Sequence, residues 1–223
     1  MAEFVKAPED AFQRIPDEMS FEDAATLPHS AVLAAQGLRS RKGRTVKAGD
    51  RVLIVGASGN VGPFAVQMAK AMGAHVTGVA SAPKLDMVSA LGADAVLDYR
   101  ATNWTRTRER WDWILDTDSH RGILAVRRAL KPGGMYVTLG GSTGPILGAL
   151  VVGPLISLFG SKWSGLMLWW KPFHAPDVER VLELVASGKV RPVIDRSYPL
   201  SEAREALRLV YEGKARGKVL VIP

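Results

Sequence analysis

The stretch VLIVGASGNVGPFAVQMAKAMGA, residues 52–74, decides the fold of this chain. Its first four residues are all apolar, which predicts a buried strand over Val52–Val55. Gly56, Gly59 and Gly62 follow at three-residue spacing, and apolar residues then recur with a helical period. A strand, a glycine turn and a helix make a corner where backbone N–H groups can approach a pyrophosphate. A plain tight turn is the alternative, but the flanks favour nucleotide binding.

Length and composition are typical of a globular α/β chain. The 223 residues suffice for one large domain with an appendage, and 47% are hydrophobic and 23% charged. There are no cysteines, which excludes disulfides and thiolate zinc sites. The N-terminal residues MAEFVKAPED lack the apolar core of a secretory signal. Together these features predict a cytoplasmic protein.

The chain is basic, with a net charge of +7. Lysine and arginine concentrate in residues 39–47 and 106–110. Nucleic-acid binding is one interpretation, but no nucleic-acid motif accompanies the charge, so a solvated basic face is favoured. We therefore expect no nucleic-acid partner, and a basic surface also favours a phosphate-rich cofactor.

Strands alternate with helices through the middle of the chain. After the first strand, the pattern predicts strands over residues 75–80, 95–97, 112–116 and 135–139. Helices are predicted over residues 83–91 and 121–130. Such alternation predicts a Rossmann-type, doubly wound parallel sheet with its ligand at the carboxyl ends of the strands. Residues 1–50 and 175–223 look like parts of another domain wrapped around this sheet.

Residues 144–160 carry no charge. A membrane span is one interpretation, but Gly and Pro interrupt the run and it falls short of the roughly 20 residues that a span needs. We therefore predict no membrane span and a helix that is buried or covered by a partner. Trp163, Trp169 and Trp170 follow and belong either to the core or to an apolar interface.

Six ordered segments carry a family resemblance: DEMSFEDAATLPHSAVLAAQGL, VGASGNVG, LGADAVLDY, ILDT, LKPGGMYVTLGG and VRPVIDRSYPLSEAREALRLVYEGKARGKVLV. In this order they resemble the medium-chain dehydrogenase/reductase superfamily, in its zinc-free quinone oxidoreductase-like branch, over nearly the whole chain. The resemblance implies an NADP-dependent oxidoreductase that transfers hydride from NADPH to a small-molecule quinone, enone or carbonyl substrate.

The resemblance also implies a GroES-like catalytic domain, of which only remnants flank the sheet. We expect a remnant with linking helices over residues 1–45, the Rossmann domain over 46–172 and a return segment over 173–223. The N-terminal domain is expected to be truncated here, or the start to be misassigned. Because half of the substrate cleft would then be missing, poor quinone or enone reduction and a possible homo-oligomer are expected.

The end of the second predicted strand separates NAD from NADP. NAD sites place Asp or Glu there for the ribose 2′-OH, whereas this strand ends without a carboxylate. Ser81 can donate a hydrogen bond and Lys84 offers a charge to a 2′-phosphate. The resemblance assigns both residues that role and adds Tyr99 near the adenosine. The alternative is that Ser81 caps the next helix and Lys84 is merely exposed.

The other predicted cofactor contacts lie in the turns after three strands. They are Gly56, Ser58, Gly59, Asn60 and Val61 in the glycine turn, Asp116 after the fourth strand, and Leu139, Gly140 and Gly141 after the fifth. Asp116 and the 139–141 turn fall where a nicotinamide ribose should lie, although ordinary strand-to-helix turn chemistry explains them equally well.

His29 is the one residue that suggests a metal. In zinc-dependent relatives a cysteine ligand resembles this position, but one ligand makes no site, so a structural or cleft-lining histidine is favoured and no metal is predicted. No general acid can be named. The competing hypotheses are a catalytically impaired NADPH-binding module or oligomerisation partner and, with least support, a methyltransferase, because LKPGGMYV also resembles that class.

Overall fold

A six-stranded parallel sheet forms the centre of the chain. The computed structural model describes residues 4–171 and 174–223. The strands are β1 (Arg51–Val55), β2 (His75–Ala80), β3 (Ala95–Asp98), β4 (Trp111–Asp116), β5 (Leu130–Thr138) and β6 (Trp163–Leu166). Their spatial order is β3-β2-β1-β4-β5-β6, which is the order of a doubly wound dinucleotide-binding sheet. The predicted fold class is confirmed.

Helices cover both faces of the sheet. They are α1 (Phe21–Gly37), α2 (Gly62–Ala71), α3 (Leu85–Ala90), α4 (Ile123–Ala129), α5 (Thr143–Leu147), α6 (Gly153–Ser157), α7 (Ala175–Ala186) and α8 (Ala203–Tyr211). Val52 and Ile54 point into the core shared with α1, α2 and α7, whereas Leu53 and Val55 point into the core on the α4 side. Burial on both faces explains the continuous apolar run Val52–Val55 within β1.

Helix α1 precedes the sheet in sequence and packs against it. At its start, Ser20 Oγ caps the helix by accepting a hydrogen bond of 3.1 Å from the Asp23 backbone N–H. At its end, Trp113 Nε1 donates 3.0 Å to the Gly37 carbonyl. The second contact ties α1 to the middle of β4.

The start of β5 differs from the prediction. Helix α4 ends at Ala129, and Leu130 already pairs with Trp111 of β4. The register then shifts before Trp113 pairs with Met135. The Lys-Pro-Gly-Gly segment is therefore an irregular extension of the strand, whereas the sequence predicted a helix to Leu130 and a strand starting at Met135.

A small parallel pair of strands closes the chain. It consists of β7 (Ile194–Pro199) and β8 (Lys218–Ile222), with α8 between them in sequence. The predicted division into three segments stays a prediction.

The uncharged run forms a short broken helix. It consists of α5, a π-helical turn over Gly148–Val152, and α6. No helix within residues 4–171 or 174–223 is both long and apolar enough to cross a membrane. Ala149 and Gly153 are buried, but Leu158 and Phe159 are 77% and 79% exposed. Only one side of the run is thus covered by this chain, and its cover by a partner stays a prediction.

The three tryptophans after this run belong to different environments. Trp163 lies in β6, and its ring centroid is 5.6 Å from that of Trp169. Both are partly buried against the core, whereas Trp170 is exposed. The core interpretation therefore holds for Trp163 and Trp169, and an apolar interface at Trp170 stays a prediction.

Candidate functional site

The glycine turn brings the end of β1 against the loop after β4. Gly56 has a φ of +75°, and a Cβ there would lie 2.2 Å from Thr117 Oγ1. The Thr117 hydroxyl in turn donates 3.0 Å to the Val55 carbonyl. Only glycine fits this conformation and this contact.

The start of α2 closes tightly onto the same turn. A Cβ on Gly62 would lie 2.2 Å from the Gly56 carbonyl oxygen. Among the described residues, the backbone N–H groups of Ser58, Asn60 and Val61 have no hydrogen-bond partner. Unpaired N–H groups at the N-terminus of a buried ten-residue helix fit a pyrophosphate. The structure thus assembles the corner that the sequence predicts.

The corner after β2 carries cations and hydroxyls but no carboxylate from the strand. Lys84 Nζ donates to the carbonyls of Gly213 at 2.7 Å and Ala215 at 2.5 Å. Burial lowers the pKa of Lys84, Asp195 opposes that shift, and Arg216 adds to it. An ammonium has three N–H donors, so one remains for a phosphate. Lys84 is therefore not merely exposed, and Ser81 makes no side-chain capping bond.

Sequence reasoning missed a second cation at this corner. Arg216 donates from its guanidinium to the Pro83 carbonyl, and its backbone N–H bonds Asp195 Oδ2 at 3.1 Å. The basic segment KARGK, residues 214–218, leads into β8 and could have indicated this cation in the sequence. Tyr99 is 45% exposed at the end of β3, with the Arg100 guanidinium 5.6 Å from its ring centroid.

The turns after β4 and β5 lie side by side. The Ser119 backbone N–H donates 2.9 Å to the Gly140 carbonyl, and Ser119 forms a parallel bridge with Gly141. The Leu139 N–H donates 2.9 Å to the Asp116 carbonyl. The two regions that the sequence assigned to the nicotinamide ribose are thus brought together.

The Asp116 side chain faces the interior. It is 1% exposed, and burial raises its pKa to about 6. Its oxygens accept hydrogen bonds from the Asp118 backbone N–H at 3.2 Å and the Tyr136 phenol at 3.1 Å. The buried carboxylate therefore supports the turns after β4 and β5 from inside the protein. Its neighbours in the sequence, and not Asp116 itself, reach the surface.

A chain of three polar side chains lies on these turns, and sequence reasoning missed it. Asp118 Oδ1 is 3.0 Å from His120 Nε2, and His120 Nδ1 is 2.6 Å from Ser142 Oγ. Asp118 and His120 follow β4, whereas Ser142 follows β5. No sequence pattern indicated this juxtaposition, because the register between the two turns creates it.

His29 stands apart from this site. It is exposed on α1, and its ring packs edge-on against Trp170 with centroids 5.3 Å apart. Within the described part of the chain, no three His, Cys, Asp or Glu side chains lie close enough together to hold a metal. The structure thus shows His29 in an aromatic contact.

Comparisons with known proteins give the family. Residues 91–221 match the family model described as zinc-binding dehydrogenase. The chain is 36% identical to the mitochondrial NAD(P)H oxidoreductase RTN4IP1 of Mus musculus over 99% of this chain and 60% of that protein. It is 30% identical to the chloroplast envelope quinone oxidoreductase homolog of Arabidopsis thaliana, over 100% of this chain and 68% of the relative.

Solved structures agree with this assignment. The quinone oxidoreductase from Coxiella burnetii superposes with a TM-score of 0.76 at 27% identity, over 92% of this chain and 62% of that one. The chain thus spans 60% of the length of the mouse relative and a similar share of this structure. The activity and substrates of a whole protein of this kind are therefore taken up below as proposals.

These relatives contradict the prediction of a cytoplasmic protein. The mouse relative is named as mitochondrial, and the Arabidopsis relative as a protein of the chloroplast envelope. A chain without cysteines or a secretory signal suits an organelle as well as the cytoplasm, so composition could not separate them. The cytoplasmic prediction is therefore wrong, because it inferred a location from composition alone.

The family model covers more than half of the chain, and the relatives match it from end to end. The chain belongs to the zinc-binding dehydrogenase family of medium-chain dehydrogenases/reductases, in its quinone oxidoreductase-like branch.

Proposed function

We propose that the whole protein is an oxidoreductase that uses NADPH to reduce a small quinone, enone or carbonyl compound, and that this chain holds the cofactor. The observation that carries the proposal is the set of unpaired N–H groups where the glycine turn meets α2. They lie at the carboxyl end of β1, where sheets of this order bind dinucleotides. The mouse relative's name, an NAD(P)H oxidoreductase, supports the same class of cofactor.

Each part of the cofactor has a matching group in the chain. Gly56, Ser58, Gly59, Asn60 and Val61 would hold the pyrophosphate with backbone N–H groups and the positive end of α2. Tyr99 would lie along the adenosine. Thr117 and the turn Leu139–Gly141 would border the nicotinamide and its ribose. The cofactor, when bound, supplies the hydride, and the protein positions it and excludes competing reactions.

The preference for NADPH over NADH is part of the proposal. The strand that would present an acid to a free 2′-OH ends in Val79-Ala80-Ser81. Lys84 and Arg216 meet beside this end through their contacts with the 213–215 carbonyls and Pro83. A 2′-phosphate would receive charge-assisted hydrogen bonds here, whereas a 2′-hydroxyl would not.

We also propose that this chain adds no zinc ligands to the enzyme. It has no cysteine, and His29, at the position that resembles a zinc ligand of related enzymes, contacts the ring of Trp170. Polarisation of the substrate would then come from hydrogen-bond donors of the protein. A second copy of the chain is the proposed cover for the exposed side of residues 144–160, where Leu158 and Phe159 protrude.

A catalytically impaired NADPH-binding module is the second candidate, because the residues that carry the proposal bind a cofactor and do not by themselves select a substrate. The test mixes the whole protein with NADPH and a quinone or an enone, and follows the loss of dihydronicotinamide absorbance. Reduction of either compound supports the enzyme. Tight NADPH binding with no reduction of any quinone, enone or carbonyl compound contradicts it and favours the module.

A further inference from the structure

Asp118, His120 and Ser142 form a continuous chain of hydrogen-bonding groups at the surface. The distances are 3.0 Å from Asp118 Oδ1 to His120 Nε2 and 2.6 Å from His120 Nδ1 to Ser142 Oγ. With Asp118 accepting from Nε2–H, the other ring nitrogen is free to exchange a proton with the serine hydroxyl. The arrangement therefore links an exposed carboxylate to a hydroxyl through one imidazole.

The backbone holds this chain against the proposed nicotinamide site. Ser142 directly follows Gly140 and Gly141, and its backbone N–H donates 2.9 Å to the Ser119 carbonyl. Ser119 lies between Asp118 and His120, and the buried Tyr136 phenol is 3.0 Å from its hydroxyl. A supported backbone beneath the side chains is what a site needs to keep its geometry.

Stability does not explain the three side chains. His120 is 61% and Asp118 65% exposed, and exposed ion pairs contribute little to folding. The three side chains are nevertheless ordered by two short contacts, and the contact between His120 and Ser142 joins the loop after β4 to the loop after β5. A role in chemistry at the neighbouring cleft accounts for both its exposure and its alignment.

We propose that Ser142 and His120 deliver the proton that accompanies hydride transfer, with Asp118 as the residue that positions His120. The inference rests on the proposed function. The hydride forms a new C–H bond on the substrate, and the displaced electron pair of the carbonyl or conjugated system moves onto the substrate oxygen. The Ser142 hydroxyl gives its proton to that oxygen and takes one from His120 Nδ1.

Solvent supplies the proton that completes the reaction. His120 enters the step as an imidazolium, which the Asp118 carboxylate stabilises, and leaves it as a neutral imidazole that regains its proton from solvent, which its exposure allows. The substrate gains a hydride and a proton, and the solvent loses one proton. No further oxidant or reductant is needed.

The test compares His120→Ala, Ser142→Ala and Asp118→Asn with His75→Ala, each made in the whole protein. His75 is an exposed histidine at the opposite end of the sheet, at the start of β2, so it is a matched control. We expect His120→Ala and Ser142→Ala to lower kcat for enone or quinone reduction by about 100-fold or more, which is a usual size for general acid catalysis. The Kd for NADPH should change less than about twofold, and His75→Ala should match the parent.

Two further readouts separate chemistry from loop support. Added imidazole should restore part of the His120→Ala rate but none of the Ser142→Ala rate, because only the first variant lacks the imidazole ring. Carbethoxylation of His120, followed by mass spectrometry, should be slowed by NADPH and not by 2′-phospho-ADP-ribose. This readout needs no turnover and places His120 beside the nicotinamide.

The possible results separate the proton chain from the proposed function. An active parent whose variants keep full kcat overturns the proton chain and leaves the proposed function intact. Variants that lose NADPH binding together with rate, without rescue by imidazole, overturn it in favour of loop support. Equal protection of His120 by both ligands also overturns it. A parent that binds NADPH but reduces nothing overturns the proposed function, and the proton chain with it.

Discussion

The Tyr136 phenol donates a 3.1 Å hydrogen bond to the Asp116 carboxylate and so joins β5 to β4 inside the sheet. Ser119 Oγ lies 3.0 Å from the same phenol oxygen. Burial raises the pKa of Tyr136, and the neighbouring carboxylate raises it further. This buried group fixes the two turns that carry the proposed nicotinamide contacts and the Asp118–His120–Ser142 chain.

The first prediction concerns pH and Asp116. Because burial raises its pKa in the folded chain from 3.8 to about 6, the folded state binds a proton more tightly than the unfolded state. This contribution to stability is complete below about pH 4 and is lost as the pH rises through 6. Between pH 5 and pH 8, the unfolding free energy of the parent should fall by about 1 to 2 kcal/mol relative to that of Asp116→Asn.

Urea unfolding of both chains at several pH values measures this difference. Other titrating groups are common to both and cancel in the comparison. A difference in unfolding free energy that stays constant from pH 5 to pH 8 would show that Asp116 is not buried in the way described.

The second prediction concerns the contact of Gly62 with Gly56. A Cβ at residue 62 would meet the Gly56 carbonyl oxygen at 2.2 Å, and backbone cannot move aside cheaply. Gly62→Ala should therefore destabilise the chain by at least about 2 kcal/mol and abolish NADPH binding at the corner. Gly144→Ala is the control, since a Cβ there has nothing within 4 Å. Equal melting temperatures and equal NADPH affinities for the two variants would refute this packing.

The third prediction concerns Lys84. Its ammonium offers one charge-assisted hydrogen bond to a 2′-phosphate, worth about 1.5 to 3 kcal/mol when well made and less when solvated. Lys84→Ala should thus weaken the binding of NADPH by roughly tenfold and leave the affinity for NADH nearly unchanged. Isothermal titration with both cofactors measures the effect, with Lys47→Ala as a control on an exposed lysine before β1.

Lys84 also holds the carbonyls of Gly213 and Ala215, so the variant could loosen the C-terminal segment. A thermal melt of the same sample reports that effect separately. Weakening of both cofactors alike would mean that Lys84 supports the fold of the corner and does not read the phosphate.

The fourth prediction concerns the buried carboxylate that joins α1 to α7. Asp177 is 4% exposed and accepts hydrogen bonds from Gln36 Nε2 and Arg39 at 2.6 Å each, while His174 Nδ1 lies 3.0 Å away. Asp177→Ala should cost about 3 kcal/mol, the low end for a broken buried pair, because Arg39 remains partly solvated. Chemical unfolding measures it, against Asp17→Ala, whose pair with Arg14 is exposed and should matter little. A similar loss of unfolding free energy in both variants would contradict the role of Asp177 as a buried, paired carboxylate.

Sequence reasoning worked best where one local pattern sets the structure. The second strand was predicted over residues 75–80 and is observed at His75–Ala80, because an apolar strand bounded by a glycine turn and a proline leaves few alternatives. The glycine turn was predictable for the same reason, since its spacing alone demands close approach of a strand and a helix. The end of α4 was not, because pairing of Leu130 with Trp111 is a tertiary effect.

The parts of the site that sequence reasoning missed are contacts between distant segments. Arg216 reaches Pro83 only because β8 returns beside α3, and Ser142 reaches His120 only because two turns share a register. Composition and periodicity describe one segment at a time. For residues 144–160, the apolar run predicts burial but does not say what provides it, so the cover of its exposed side stays a prediction.

The most direct test of the central claim is titration of the purified chain with NADPH and NADH side by side. In the proposed complex, a dinucleotide lies on the unpaired N–H groups of the glycine turn, with its 2′-phosphate beside Lys84 and Arg216. We therefore expect saturable binding of both cofactors, with NADPH tighter by roughly tenfold or more. Equal affinity for the two, or binding of neither, would contradict it.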